Sequence, residues 1–115
     1  MKKFSLLILI MLMSSLMAMT YAQVDVTFQV DMSEYNGGYT YTNVNLNGSF
    51  NGWCGPCATL TDPEFDNIWE ITVSLDPGTY EYKFTLDGWE AQESFSGGEL
   101  CTSTLGGFTN RTITV

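Results

Sequence analysis

The chain has 115 residues, 44% apolar and 15% charged, which fits one globular domain and excludes a disordered tail or a multidomain enzyme. It contains no His, so Ser-His and Cys-His nucleophilic sites and most zinc sites are excluded. Its formal net charge is −9, too acidic to hold a phosphate backbone or an anionic lipid surface, so neither nucleic acid nor membrane is expected as a partner.

Residues 1–22 read as a secretory signal peptide: Lys2 and Lys3, an apolar run from Phe4 to Met19, then Thr20 and Ala22 on either side of Tyr21. The run is about sixteen residues, short of the roughly twenty that span a bilayer. Cleavage after Ala22 leaves one domain, 23–115, expected in the periplasm or outside the cell. Lys83 and Arg111 are then the only cations against thirteen Asp and Glu, a net charge of −11.

From Val24 onward, apolar and polar residues alternate at period two, the pattern of strands with one buried and one wet face. Val24, Val26, Phe28, Val30 and Met32 share a face. The next run sets Val44, Leu46, Gly48 and Phe50 against Asn45, Asn47, Ser49 and Asn51. Trp69, Ile71, Val73 and Leu75 follow, then Tyr80, Tyr82, Phe84 and Leu86, and finally Ile113 and Val115. Asp76-Pro77-Gly78-Thr79 suits a type II turn and Asp87-Gly88 a tight hairpin, so the strands they join are expected to be antiparallel neighbours. No window keeps a helical period. The expectation is an all-β antiparallel sandwich of about six or seven strands, Ig-like in size and spacing.

Trp53-Cys54-Gly55-Pro56-Cys57 spells the active-site string of thioredoxins. That chemistry needs the first Cys at a helix N-terminus, where the dipole lowers the thiol pKa. Here Ala58-Thr59-Leu60-Thr61-Asp62-Pro63 follows, with no helical face, and the βαβ context is missing. A structural disulfide among Cys54, Cys57 and Cys101 is the simpler reading, with Cys101 the favoured partner. A loop closed to Cys101 contributes about 4 kcal/mol, against about 2 kcal/mol for the short Cys54–Cys57 loop.

The segment Val44-Asn45-Leu46-Asn47-Gly48-Ser49-Phe50-Asn51-Gly52-Trp53 is followed, in order, by Ile68-Trp69-Glu70-Ile71, by Asp76-Pro77-Gly78-Thr79-Tyr80-Glu81-Tyr82-Lys83-Phe84 and by Leu86-Asp87-Gly88-Trp89. Asn110-Arg111-Thr112-Ile113-Thr114-Val115 closes the chain. This ordered set resembles the early-set Ig-like glycogen- and starch-binding modules of carbohydrate-binding module family 48, found in AMP-activated kinase β subunits and beside amylolytic domains. The resemblance implies an α-glucan ligand and no cofactor. It puts Trp53 and Trp89 at stacking positions, Lys83 and Asn110 as hydrogen-bonding groups and Leu105 as an apolar rim. The physics agrees, since an indole face stacks on the C–H face of a pyranose. Two departures stand out: the Cys-x-x-Cys loop directly after Trp53, and Trp89 one residue closer to Asp87-Gly88 than in the family.

Each residue also has a structural alternative. Trp69 shares the face of Ile71 and Val73 and is expected in the core, and Lys83 has Glu81 or Glu70 within reach for an ion pair. Asp62, Glu64, Asp66 and Glu70 are spaced as a weak calcium loop whose twelfth position, Val73, lacks the bidentate Glu. The expected function is a secreted, non-catalytic polysaccharide-binding module, acting alone or beside a partner enzyme or cell-surface protein, with weak affinity of roughly 10 µM to 1 mM. Its rivals are a structural or adhesive Ig-like module without a sugar and a thiol oxidoreductase. A glycoside hydrolase is not expected, for want of a cleft holding paired carboxylates.

Overall fold

The computed structural model describes residues 18–115, and most of the expected signal peptide, residues 1–17, lies outside them. Among these described residues seven strands form: β1 (Val24–Asp31), β2 (Val44–Gly48), β3 (Ile68–Leu75), β4 (Thr79–Leu86), β5 (Ala91–Gln92), β6 (Thr102–Leu105) and β7 (Phe108–Thr114). A 3-10 turn, Ser49–Asn51, follows β2. The result is the antiparallel β-sandwich expected from the alternation. Among the described residues no helix is long and apolar enough to cross a membrane.

One sheet is the pair β1 and β3, in register from Val24 opposite Leu75 to Asp31 opposite Ile68. The other has the order β2-β4-β7-β6, with β5 also against β4. β4 is its spine. One edge pairs with β2, from Val44 opposite Leu86 to Gly48 opposite Tyr82, while the other is shared by β7 along Thr79–Tyr82 and β5 along Thr85 and Leu86.

Two connections differ from expectation. β3 and β4 are not neighbours: the three residues between them pass from one sheet to the other. Gly78 does not take the positive φ that a type II turn requires. Its backbone instead exchanges bonds with Val115, at 3.1 and 2.8 Å, and extends the β4–β7 ladder. The Asp87-Gly88 turn does form, with φ of 44° and 79°, and sends β5 back along β4. The stretch Ala58–Thr61 ties the two sheets together. Leu46 N donates to Ala58 O (2.9 Å) and Leu60 N to Val44 O (2.8 Å), after which Thr61 and Glu70 exchange bonds of 2.9 and 2.7 Å.

The core lies between the sheets, where Phe28 and Leu75 meet Val44, Leu46, Phe84 and Leu86, with Leu60 inserted from the crossing stretch. Phe28 stands edge-on to Tyr82 at 4.9 Å and packs against Phe50 at 5.7 Å. Trp69 packs against this cluster as expected, edge-on to Tyr41 at 6.3 Å. Burying such side chains supplies the main driving force for a domain of this size, about 25 cal/mol per Å² of apolar surface.

The carboxylates of the acidic loop are engaged in the turn itself. Asp62 Oδ1 and Oδ2 accept from the backbone N–H groups of Asp66 and Asn67 (both 3.1 Å), and Asp66 Oδ1 accepts from Ile68 N (3.0 Å). Glu70 instead accepts from Gln29 Nε2 on β1 at 2.8 Å. Carboxylates spent on turn N–H groups do not converge on a shared point, and among the described residues no group of metal-ligating side chains does so.

Candidate functional site: a tryptophan-walled cleft on the outer sheet face

Alternation along β4 sends Tyr80, Tyr82, Phe84 and Leu86 inward and Thr79, Glu81, Lys83 and Thr85 outward. The register carries this across the sheet. Asn47 lies beside Lys83, Asn45 beside Thr85, Thr112 beside Glu81, and Asn110 follows two residues before Thr112 on the same face. Over this outer face lies a cleft of about 520 Å³, within the usual range of small-ligand sites. Trp53, Lys83, Trp89, Leu105 and Asn110 all line it, so the structure brings the five sequence-predicted residues to one place.

Two loops supply the tryptophans. Trp53 follows the 3-10 turn in a left-handed conformation, φ 57°, with its N–H donating to Gly48 O at 3.1 Å. Trp89 comes from the β4–β5 turn, and its indole Nε1 donates to Trp53 O at 3.2 Å. The two rings sit 6.3 Å apart, tilted by 36°, and Trp89 is 41% exposed. Together they form an apolar wall open to solvent.

What fixes these loops is a pair of buried amides. Asn45 and Asn47, on the face expected to be wet, are 1% and 0% exposed because the loop following Trp53 folds over them. Asn47 Nδ2 donates to Gly55 O (3.1 Å) and Thr85 Oγ1 (2.7 Å), while its Oδ1 accepts from Gly55 N (2.6 Å). Asn45 Oδ1 accepts from Gly88 N (2.8 Å), and its Nδ2 donates to Thr59 Oγ1 (3.1 Å). Asn47 therefore anchors the Trp53 loop and Asn45 the Trp89 turn. Gly55 has φ +87°, and a Cβ there would stand 3.1 Å from the Trp89 ring, so the position requires glycine on two counts.

Cys54 and Cys57 flank this anchored glycine and lie side by side, Cα atoms 5.6 Å apart. Cys101 is exposed, with no cysteine partner. The expected bridge to Cys101 is thereby corrected: the short loop, not the long one, has its sulfurs together. Among the described residues Cys54 begins no helix, so the dipole that activates a thioredoxin cysteine has no counterpart here.

The opposite rim comes from the β6–β7 hairpin. Gly106 and Gly107 have φ of 61° and 84°, a two-residue turn that sets Leu105 directly opposite Phe108. Both are exposed apolar residues, at 73% and 70%. Lys83 on the floor is 8% exposed, and its Nζ donates to Gln92 Oε1 at 3.2 Å rather than to the expected Glu81 or Glu70. Sequence reasoning missed three lining residues: Phe108, Gln92 and Glu81. The Leu105-Gly106-Gly107-Phe108 hairpin pattern could have disclosed the first, and strand alternation the last. Gln92 carried no signal.

Glu81 is the cleft's single carboxylate, so the paired acids of a glycoside hydrolase are absent from the lining. Behind the face, Glu93 accepts from Arg111 Nε (2.7 Å) and from Phe84 N (3.2 Å). Burial holds its carboxyl above the usual range, against the opposing pull of Arg111.

A sandwich with a solvent-open aromatic wall facing polar groups across an outer sheet face defines a polyol-binding type of module. The glycogen recognition site of AMP-activated protein kinase matches this chain over residues 25–111, and the chain belongs to that family. No curated protein matches it closely enough to count as a relative.

Proposed function

We propose that the protein is a secreted, non-catalytic module that binds α-glucan chains by stacking them on Trp53 and Trp89. Lys83 donates to sugar hydroxyls, the Asn110 amide both donates and accepts, and Leu105 forms the apolar rim. The convergence of these five residues on one cleft carries the reading, and membership of a glycogen-recognition family supports the ligand class. Cys54 and Cys57 act as a bridge that stiffens the Trp53 loop, which lowers the ordering cost of binding. Secretion places the module in the periplasm or outside the cell, where such a bridge persists. Electrophoresis in a native gel containing glycogen tests the proposal. Retarded migration of the protein, abolished by Trp53→Ala, is the expected result; migration unchanged by glycogen overturns it.

A further inference from the structure

We propose that Glu81 is a specificity-determining residue of the cleft: its carboxylate accepts hydrogen bonds from hydroxyls of a neutral glucan and turns away sugars carrying a phosphoryl or carboxylate group. The inference rests on the α-glucan reading above.

Glu81 sits on the outward side of β4, opposite Thr112, and its backbone N–H donates to Ser49 Oγ at 3.2 Å. The side chain lines the cleft together with Trp53 and Lys83. Its Oε1 is buried and has no hydrogen-bond partner. Among the described residues the single ion pair is Arg111 with Glu93, and the Lys83 ammonium is turned to Gln92. Glu81 is half-buried, and one of its two carboxylate oxygens is shut away from water with no hydrogen-bond donor or ion-pair partner, an arrangement that folding alone does not favour. A bound polyol offers this cleft-lining carboxylate the donors that the protein does not supply, since every sugar hydroxyl carries a proton to donate and no charge.

The same geometry is selective. Phosphoryl and uronate oxygens are anionic acceptors that can donate nothing to Glu81, and they would approach it across a low-dielectric aromatic wall in a protein rich in acid. Lys83, two residues along the strand, leaves one fixed donor beside one fixed acceptor. That pair orients a hydroxyl group of a neutral chain rather than capturing an anion.

Tryptophan-fluorescence titration of the protein and of Glu81→Gln, each with maltoheptaose and with a 6-phosphorylated maltooligosaccharide of equal length, tests the assignment. The wild type should favour the neutral sugar by more than about tenfold, as like-charge contact predicts. Glu81→Gln should bind maltoheptaose about fivefold more weakly, the difference between a charge-assisted and a neutral bond, and its preference for the neutral sugar should shrink to under about threefold. Equal affinity of the wild type for both sugars overturns the proposal without need of a variant, and so does a preference unchanged in a Glu81→Gln protein of native circular dichroism. In both cases maltoheptaose binding survives and only the role of Glu81 falls. Failure of the wild type to bind maltoheptaose at all removes the α-glucan reading and this inference with it.

Discussion

Replacing Asn47 by Leu, which keeps the volume and removes the amide, should be among the most damaging single changes in the domain. Asn47 is fully buried and makes three side-chain hydrogen bonds, two to the backbone of Gly55 and one to Thr85. The substitution orphans the N–H and C=O of a buried glycine and the hydroxyl of Thr85, which is 1% exposed. Each orphan costs about 1–3 kcal/mol, and after partial relaxation of the loop the sum is about 3–5 kcal/mol. With a urea slope near 1.5 kcal/mol/M the midpoint falls by about 2–3 M at unchanged slope. Equilibrium urea unfolding followed by tryptophan fluorescence measures it, with Asn110→Ala, a half-buried cleft-lining position, as the comparison, expected within about 0.5 kcal/mol of wild type. A loss below about 1 kcal/mol for Asn47→Leu would refute the reasoning that this amide holds the Trp53 loop down.

Ser in place of both Cys54 and Cys57 should cost about 2 kcal/mol by the loop-closure estimate and weaken glucan binding, whereas Cys101→Ser should leave stability unchanged; an equal cost at Cys101 would mean that it is the bridging partner. Asp87 accepts from the backbone N–H groups of Thr42 (3.1 Å) and Asn43 (2.8 Å), and these bonds hold its carboxyl below its ordinary 3.8. A carboxyl lowered by folding adds stability that is present above 3.8 and lost as pH falls through its folded value, so Asp87→Asn should flatten the acid limb of thermal unfolding. Identical acid limbs in the two proteins would remove that role.

Local pattern made much of the fold readable. Alternation located β1, β3 and β4 and assigned Lys83 to the outward face, since period two is a property of each strand by itself. The Asp87-Gly88 pair marked a true turn for an equally local reason, as two successive positive φ values suit those residues. Long-range packing was not readable. Asn45 and Asn47 look like the wet half of a strand, and only the return of the loop beyond Trp53 over that face buries them. The β3–β4 connection looks like a hairpin, yet Gly78 is recruited by Val115 from the far end of the chain, which draws β4 into the other sheet. Loop entropy favoured a bridge to Cys101, but that estimate counts only the unfolded chain and knows nothing of where the sulfurs end up. In the site, the tryptophans, Lys83, Leu105 and Asn110 were legible through family resemblance, while Glu81 and Gln92 took their meaning from a cleft that exists only once three loops meet.

Calorimetric titration of the protein with maltoheptaose, run beside Trp53→Ala and Trp89→Ala, tests the central claim most directly. The account predicts saturable binding with a dissociation constant of roughly 10 µM to 1 mM, lost or weakened at least about tenfold in each variant. Absence of heat with the wild type, or binding that survives removal of both rings, would contradict it.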